Sequence, residues 1–516
     1  MKTSKARKKA AAKAQENVSK KEENPLTLKT FQQNTISFCK AYKKTFCVLL
    51  ILYIIGISAI VRANVSYIDD VDRAVLGYRN FGYGRRLSDF LAILFHADTS
   101  VRDISPLTQL LAVCFLSAAC CIVIHLLSEK RRFDLWTVIA VLPLGLSPYF
   151  LECLSYKFDS PYMALSILVS VLPFLFFEYD LSLYGTISFF SCLYMCLLYQ
   201  SSSGVYPMLT ALLCFHQWNK GRSLKDVLRF CLVSAFNYCF ALGVFRLLFA
   251  PRNTDASGYV NFSISFKLLP ENLRMYFSYI QSDFKPWWLV MAALIAASFV
   301  YVAVRDTEKR HRVLSGLLAA VTLLVMLLLS FGLYSFFETP LMEPRAMYGF
   351  GVFIAFTGVY ASGAKRNYPA KLACLCLSWA FFSFAFVYGN ALAENQRYLE
   401  FRAEAAMMDV CETDAFRSVK KDSEKLRVQY SGSIRRSPLI TRDDDNHDLL
   451  VRLVPNIVRG NWWHGQMYLQ WYFGVGDYIT IDFSEDFQDL DLPILKDTFY
   501  HTIRGDSEHI LIEFKH

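Results

Sequence analysis

Along this chain, long apolar blocks alternate with short charged ones. A stretch of about 17 to 25 predominantly apolar residues is what crosses a hydrocarbon core as a helix. On that criterion eleven spans are predicted, at roughly 45–63, 106–127, 135–151, 161–177, 183–200, 203–217, 229–249, 286–304, 313–333, 348–363 and 371–392. From Glu394 the pattern changes and charge becomes frequent. There the residues read as a helix over 394–421, a strand in "KLRVQYSG", a helix around His447 to Val454, an aromatic segment "NWWHGQMYLQWY", and strands in "DYITIDF" and "HILIEFK". The predicted fold class is mainly α: a polytopic helical membrane protein with a small α/β domain at its carboxy terminus.

Charge gives this chain an orientation. The first 44 residues carry twelve Lys or Arg against three Glu, a net of +9 that equals the net charge of the whole protein. A basic stretch of this kind suits anionic lipid on a cytoplasmic face. It lacks interleaved aromatics in its first thirty residues, which argues against a nucleic-acid partner. It is also too long for a cleavable signal peptide, and no small-residue cleavage site follows. With this tail inside, alternation puts "SEKRRFD", "NKGRSLKDVLR", "RDTEKRHR" and "KRNYPAK" on the cytoplasmic side, all basic; only "EYD" near Glu178 departs from the positive-inside rule. The predicted organisation is a cytoplasmic tail (1–44), a membrane domain (45–393) whose first outer loop is 64–105, and an extracytoplasmic domain (394–516). Most of the fourteen Cys lie inside apolar blocks and act as small apolar fillers, so no disulfide framework is expected; Cys153 and Cys411 fall in outer segments.

Two outer loops show helical apolar periodicity suited to a membrane interface. Leu87, Phe90, Leu91, Leu94 and Phe95 follow a possible Ser88 cap, and Leu273, Tyr276, Phe277 and Ile280 follow Pro270. Such helices either border a lipid-side groove or plug the bundle.

Ionisable residues mark a transporter's path through its spans, yet here the spans are nearly clean. Charge collects instead in the outer loops: Asp69, Asp70, Asp72, Arg73, Arg79, Arg85 and Arg86, then Glu152, Lys157 and Asp159, then Glu338, Glu343 and Arg345. No phosphate-binding glycine loop or dinucleotide fingerprint is present, so a soluble nucleotide donor is not indicated. Moving a sugar from a polyprenyl phosphate to a hydroxyl needs one carboxylate as base and one or two cations for the departing phosphate, whereas glycoside hydrolysis needs two carboxylates. Local structure offers competing uses for the same groups. Asp69 or Asp70 suits a helix cap, Asp69 and Arg73 an i,i+4 pair, Arg85 and Arg86 lipid headgroup contacts. Lys157 suits an ion pair with Asp159, and Arg345 one with Glu343 or Glu338. Trp462, Trp463 and His464 suit either a sugar-stacking face or an aromatic belt.

The segments "IDDVDRAVLGYRNFGYGRRLSDFL", "DISPLTQLLAV", "LSPYFLECLSYKFDSPYMALSILVSVLPFLF", "PRAMYGFG" and "LLVRLVPNIVRGNWWHGQMYLQWY" together resemble the glucosyl transferase II family of bacterial serotype-converting proteins, members of the GT-C class of multi-span, lipid-donor glycosyltransferases. The resemblance runs from about Asp69 to the end. It implies transfer of glucose from undecaprenyl-phosphate-glucose to O-antigen repeat units of lipopolysaccharide, on the periplasmic face of the inner membrane, by an inverting single displacement. An acidic pair in the first outer loop of such enzymes maps onto Asp69 and Asp70 as catalytic residues. The family's Gly-Arg-Pro-Leu-like element maps onto Gly84, Arg85, Arg86 and Leu87, with Arg86 in place of the usual Pro; Arg85 and Arg345 are then the donor-phosphate ligands. Lys157, Asp159, Glu338, Glu343, Trp462 and Trp463 are candidate donor or acceptor contacts. No cofactor beyond the lipid-linked donor is implied, and a divalent metal is left open. Implied partners are membrane lipid, the O-antigen acceptor, a donor-synthesising glycosyltransferase and a flippase. The alternative is a transporter or flippase for lipid-linked sugars, and a second is a scaffold presenting its carboxy-terminal domain.

Overall fold

The computed structural model describes residues 28–79, 83–128, 133–251, 261–309, 311–420, 424–441 and 448–515. The basic tail up to residue 27, the centre of "SEKRRFD" and His447 lie outside the described residues. In chain order the helices are α1 (Leu28–Ala63), α2 (Asp69–Leu76), α3 (Arg86–His96), α4 (Leu107–Leu127), α5 (Leu135–Val141), α6 (Pro143–Leu146), α7 (Pro148–Ser155), α8 (Ser160–Val171), α9 (Leu181–Leu198), α10 (Val205–Asn219), α11 (Leu224–Leu248), α12 (Leu269–Asp283), α13 (Pro286–Arg305), α14 (Arg312–Leu329), α15 (Pro344–Met347), α16 (Gly349–Gly363), α17 (Tyr368–Glu412), α18 (Asp414–Ser418), α19 (Pro438–Thr441), α20 (Asp448–Leu453) and α21 (Trp463–Trp471).

Each of the eleven apolar blocks is helical, but they do not make eleven spans. Eight helices of the described residues are long and apolar enough to cross a membrane, nine if the bent pair α5–α6 and α7 counts as one. The difference has a local cause. Pro148 opens α7 at a 57° bend, because a proline ring supplies no N–H and clashes with the preceding turn. The block at 161–177 ends as a helix at Val171, tightens into a 3₁₀ turn at Leu172–Leu175 around Pro173, and with α10 stays short of the required length. These helices are compatible with a multi-pass membrane protein.

α1 packs most extensively against α17. Gly389 permits this: a Cβ there would sit 2.5 Å from the backbone carbonyl carbon of Ala59. α17 runs for 45 residues without a break, across the predicted boundary at 393. Its distal half carries Leu399, Ala403, Ala406, Met407 and Val410 into a second core shared with a five-stranded sheet. That sheet comprises β3 (Leu426–Ser431), β4 (Ile479–Ile481), β5 (Ile494–Asp497), β6 (His501–Gly505) and β7 (His509–Phe514), ordered β4-β3-β7-β6-β5. β3 is parallel to β4 and β7, and β6 is antiparallel to β5 and β7. Buried Arg402 staples the helix to the sheet by donating to the carbonyls of Tyr500 (2.9 Å) and Lys515 (2.6 Å). A two-stranded ribbon, β1 (Asn261–Ile264) with β2 (Phe337–Thr339), braces the base of α12, where Asn272 Nδ2 donates to the carbonyls of Ser335 and Phe337.

The two amphipathic segments form α3 and α12, with one correction. Ser88 does not cap α3: the helix begins at Arg86, and the buried Ser88 hydroxyl donates to the Leu198 carbonyl at 3.2 Å. Leu87, Leu91 and Phe95 pack inward, while Phe90 and Leu94 are exposed on the other side.

Gly389→Val pushes branched carbons into the Ala59 backbone. Overpacking a close helix contact costs about 1–3 kcal/mol, so a lower melting temperature in detergent and reduced membrane yield are expected; an unchanged melting temperature contradicts the contact.

Candidate active site

The turn from α1 into α2 carries the acidic cluster. Ile68, just before α2, has φ 48°, a left-handed conformation that is strained for a β-branched residue. The strain is held in place by Asp70. Its carboxylate accepts from Tyr67 N (3.0 Å), from Lys157 N (2.8 Å) and from Phe158 N (3.4 Å). Asp70 is wholly buried. It neither caps α2, whose N-cap is Ile68 with no side-chain cap bond, nor reaches solvent. Burial pushes its carboxyl up to about 8 against the pull of the Lys157 and Tyr67 amides.

Arg73 does not pair with Asp69. It forms a buried salt bridge with Asp159, the residue before α8, and lies over the Tyr78 ring. Lys157 pairs with Asp103 at 2.9 Å and not with Asp159. The α7–α8 loop is thus tied to the segment 64–105 at four points: two backbone amides on Asp70, one ion pair to Arg73 and one to Asp103.

Asp69 is different from its neighbour, because its side chain is 42% exposed. Beside it stands His464 of α21, whose Nε2 is 3.5 Å from Asp69 Oδ1 and whose Nδ1 is 2.8 Å from Asp72 Oδ2. Asp72 is buried, so one ring nitrogen lies against a buried carboxylate and the other faces the exposed one. Trp462 closes edge-on against His464 with centroids 4.8 Å apart, and Arg459 lies over Trp462. Trp463 points away and is 52% exposed.

Two arginines stand on aromatic faces near this cluster. Arg85 lies over Tyr199 at 4.7 Å and Tyr83 at 5.2 Å, and its Nε donates to Gln200 Oε1 at 3.3 Å. Arg345 lies over Tyr156 at 5.7 Å. Its backbone N and one guanidinium nitrogen each donate to a carboxylate oxygen of buried Glu152, both at 2.6 Å. Glu152 therefore takes the role that spacing had offered to Glu343 or Glu338; both of those are exposed, Glu343 just before α15 and Glu338 on β2. The Tyr199 hydroxyl donates to the Arg345 carbonyl at 3.2 Å, joining the two arginine supports. Tyr156 feels the charges of Arg345, Glu152 and Asp69, and Asp159 those of Arg73, Arg85 and Asp69. Tyr156 and Asp159 thus each lie within electrostatic reach of Asp69 and of one of the two guanidiniums. Tyrosine faces attract cations without neutralising them, so Arg85, which pairs with no carboxylate among the described residues, keeps its charge for an anion, whereas the charge of Arg345 is already met by Glu152.

The structure therefore brings together Asp69, Asp70, Arg85, Arg345, Lys157 and Asp159 with Trp462, and leaves Glu338, Glu343 and Trp463 at the surface. His464, Glu152 and Tyr199 are the partners that the sequence had not singled out for these roles. The "NWWHG" run was the available signal for His464. Among the described residues, no group of three or more His, Cys, Asp or Glu side chains is arranged to hold a metal ion. Cys153 and Cys411 are both free thiols.

Comparison with known proteins adds to this arrangement. The sequence model of the family described as Glucosyl transferase GtrII matches residues 58–356, from the end of α1 through the acidic turn, the α7–α8 loop and Arg345 into α16. A chain of long apolar helices matched over this extent is a glycosyltransferase by family. It belongs to the glucosyl transferase GtrII family. A Salmonella phage P22 protein, described as an uncharacterized 55.3 kDa protein in the gtrB 5′ region, is 24% identical over 443 residues, covering 78% of this chain and 85% of its own length. No solved structure matches the chain.

Because Asp70 has a higher carboxyl pKa in the fold than the ordinary 3.8, folding favours its protonated form. Its contribution is complete below about pH 4 and is lost as the pH rises to about 8. Asp70→Asn removes that pH dependence and also turns an amide against N–H donors, lowering stability by about 1–3 kcal/mol at acidic pH. Thermal unfolding from pH 4 to 8 measures both effects, and an unaltered pH slope in the variant contradicts them.

Proposed function

We propose that this protein is a GT-C-type enzyme that transfers glucose from undecaprenyl-phosphate-glucose to a hydroxyl of an O-antigen repeat unit at the periplasmic face of the inner membrane. The supporting observation is the juxtaposition of an exposed carboxylate, Asp69, oriented by the buried Asp72–His464 pair, with Arg85 and Arg345 on tyrosine faces. Asp69 accepts the proton of the acceptor hydroxyl as its oxygen attacks the anomeric carbon. The bond from that carbon to the phosphate oxygen breaks, and its electron pair stays on the phosphate. Arg85 and Arg345 meet the charge that develops there. One displacement inverts the anomeric centre, so one base suffices and the phosphate needs no acid. Asp70, closed off by three backbone amides, positions Asp69 and the α7–α8 loop and does not act as base. His464, with Asp72 behind it, fixes the Asp69 carboxylate toward the acceptor.

In this reading the amino terminus is cytoplasmic, the carboxy-terminal domain supplies His464 from the periplasmic side, Trp462 borders the sugar, and buried Lys157 and Asp159 hold the α7–α8 loop that shapes the site. A glycosyltransferase that makes the donor and a flippase that delivers it are the required partners.

Purified protein with labelled polyprenyl-phosphate-glucose and lipopolysaccharide acceptors tests the proposal. Asp69→Asn is expected to lower transfer by about 10²–10⁴-fold, the usual contribution of general base catalysis, with the melting temperature retained. His464→Gln is expected to lower the turnover number by a smaller factor and leave donor KM nearly constant. Arg85→Gln is expected to raise donor KM. Full activity of Asp69→Asn would overturn the assignment of the base, and a retained anomeric configuration would overturn the single displacement.

A further inference from the structure

The helices that present one end to the Asp69 site converge at their other ends on a second cavity. α1, α4, α10 and the 3₁₀ turn that follows α8 contribute Tyr42, His125, His216 and Leu175 there. It has two adjoining parts. The polar part, about 400 Å³, is bordered by His125, His216, Gln217, Lys220, Arg222 and Glu178. The apolar part, about 990 Å³, runs between α1 and α8 past Phe38, Tyr42, Ile122, Leu168 and Leu172. His125 and Leu175 line both parts. The polar part is rich in donors. Arg222 donates to Gln217 Oε1 at 2.6 Å, which uses the amide oxygen. The Gln217 amide nitrogen, on a side chain only 7% exposed, has no acceptor among the described residues. His125 Nδ1 and the Tyr42 hydroxyl meet at 3.1 Å, so the junction of the two parts is itself polar. Among the described residues, Glu178 is the one acid bordering the polar part, and it is exposed.

A buried amide N–H and two cations around one cavity call for an acceptor-rich anion. An adjoining apolar channel with Lys40 and Lys43 along it calls for that anion to carry a hydrocarbon chain. We propose that this cavity is a binding site for an anionic phospholipid, with the phosphate at Gln217, Lys220 and Arg222 and an acyl chain in the channel between α1 and α8. The site is separate from the Asp69 cluster, at the other end of the same helices, and does not depend on the function proposed for it.

The test uses full-length protein in mixed micelles with phosphatidylglycerol or phosphatidylcholine, read by native mass spectrometry and by thermal stability. Phosphatidylglycerol is expected to be retained preferentially and to raise the melting temperature. Lys220→Gln combined with Arg222→Gln is expected to cut its retention by about tenfold, the effect of losing one charge-assisted hydrogen bond, with phosphatidylcholine retention unchanged. Leu172→Trp, which fills the channel and leaves the cations in place, is expected to cut retention likewise. Equal retention of the two lipids, or unaltered retention in both variants, overturns the proposal. Equal stabilisation by inorganic phosphate alone assigns the cavity to a soluble anion and also overturns it.

Discussion

The end of the molecule that carries α2 is organised by one buried carboxylate accepting backbone amides from two loops. Asp70 holds Tyr67 N in its own turn and Lys157 and Phe158 N in the α7–α8 loop. An amide N–H buried without an acceptor costs a sizeable fraction of a domain's net stability, so the two loops cannot separate cheaply. That closure sets Ile68 in its strained conformation, turns Asp69 outward and brings Arg73 onto Asp159. The neighbouring side chains follow from it: one carboxylate is spent on structure, and the next is left at the surface.

The carboxy-terminal domain completes the same region. Val71 of α2 lies in the core of that domain, and the Tyr67 hydroxyl donates to the Leu453 carbonyl at 2.6 Å. Arg452 pairs with Asp283, which also accepts from the Tyr149 hydroxyl at 2.7 Å, and lies over Tyr279. Buried pairs of this kind are costly to break because one charge is left without a partner. The domain is therefore joined to the membrane-compatible helices through polar contacts on both sides of the acidic turn. His464 arrives at Asp69 as part of that seam.

Apolar length located all eleven helical segments, since hydrophobicity is read residue by residue. It miscounted spans where proline changes the geometry inside a block, at Pro148 and Pro173, because a bend removes reach without altering composition. The small domain was partly legible. β3, β4 and β7 carry apolar alternation, whereas β5 is exposed along its length and β6 is the short "HTIRG" with little apolar content. The acidic pair was visible as a pair, but which member is buried depends on Lys157, 87 residues away. For Arg345, neighbours on the chain suggested Glu343 or Glu338 where folding supplies Glu152, and for Asp72 and His464 no spacing suggested the pair, because the partners are brought together only by folding.

α17 has one more consequence. At 1.5 Å per residue its 45 residues extend about 68 Å, more than twice the roughly 30 Å of a hydrocarbon core. The same rod that packs on α1 at Gly389 is stapled to the sheet by Arg402. With no hinge between them, the position and tilt of the sheet relative to the apolar helices are fixed by α17 itself. The helix acts as a ruler, and the distance from its contact with α1 to the sheet is set by its length.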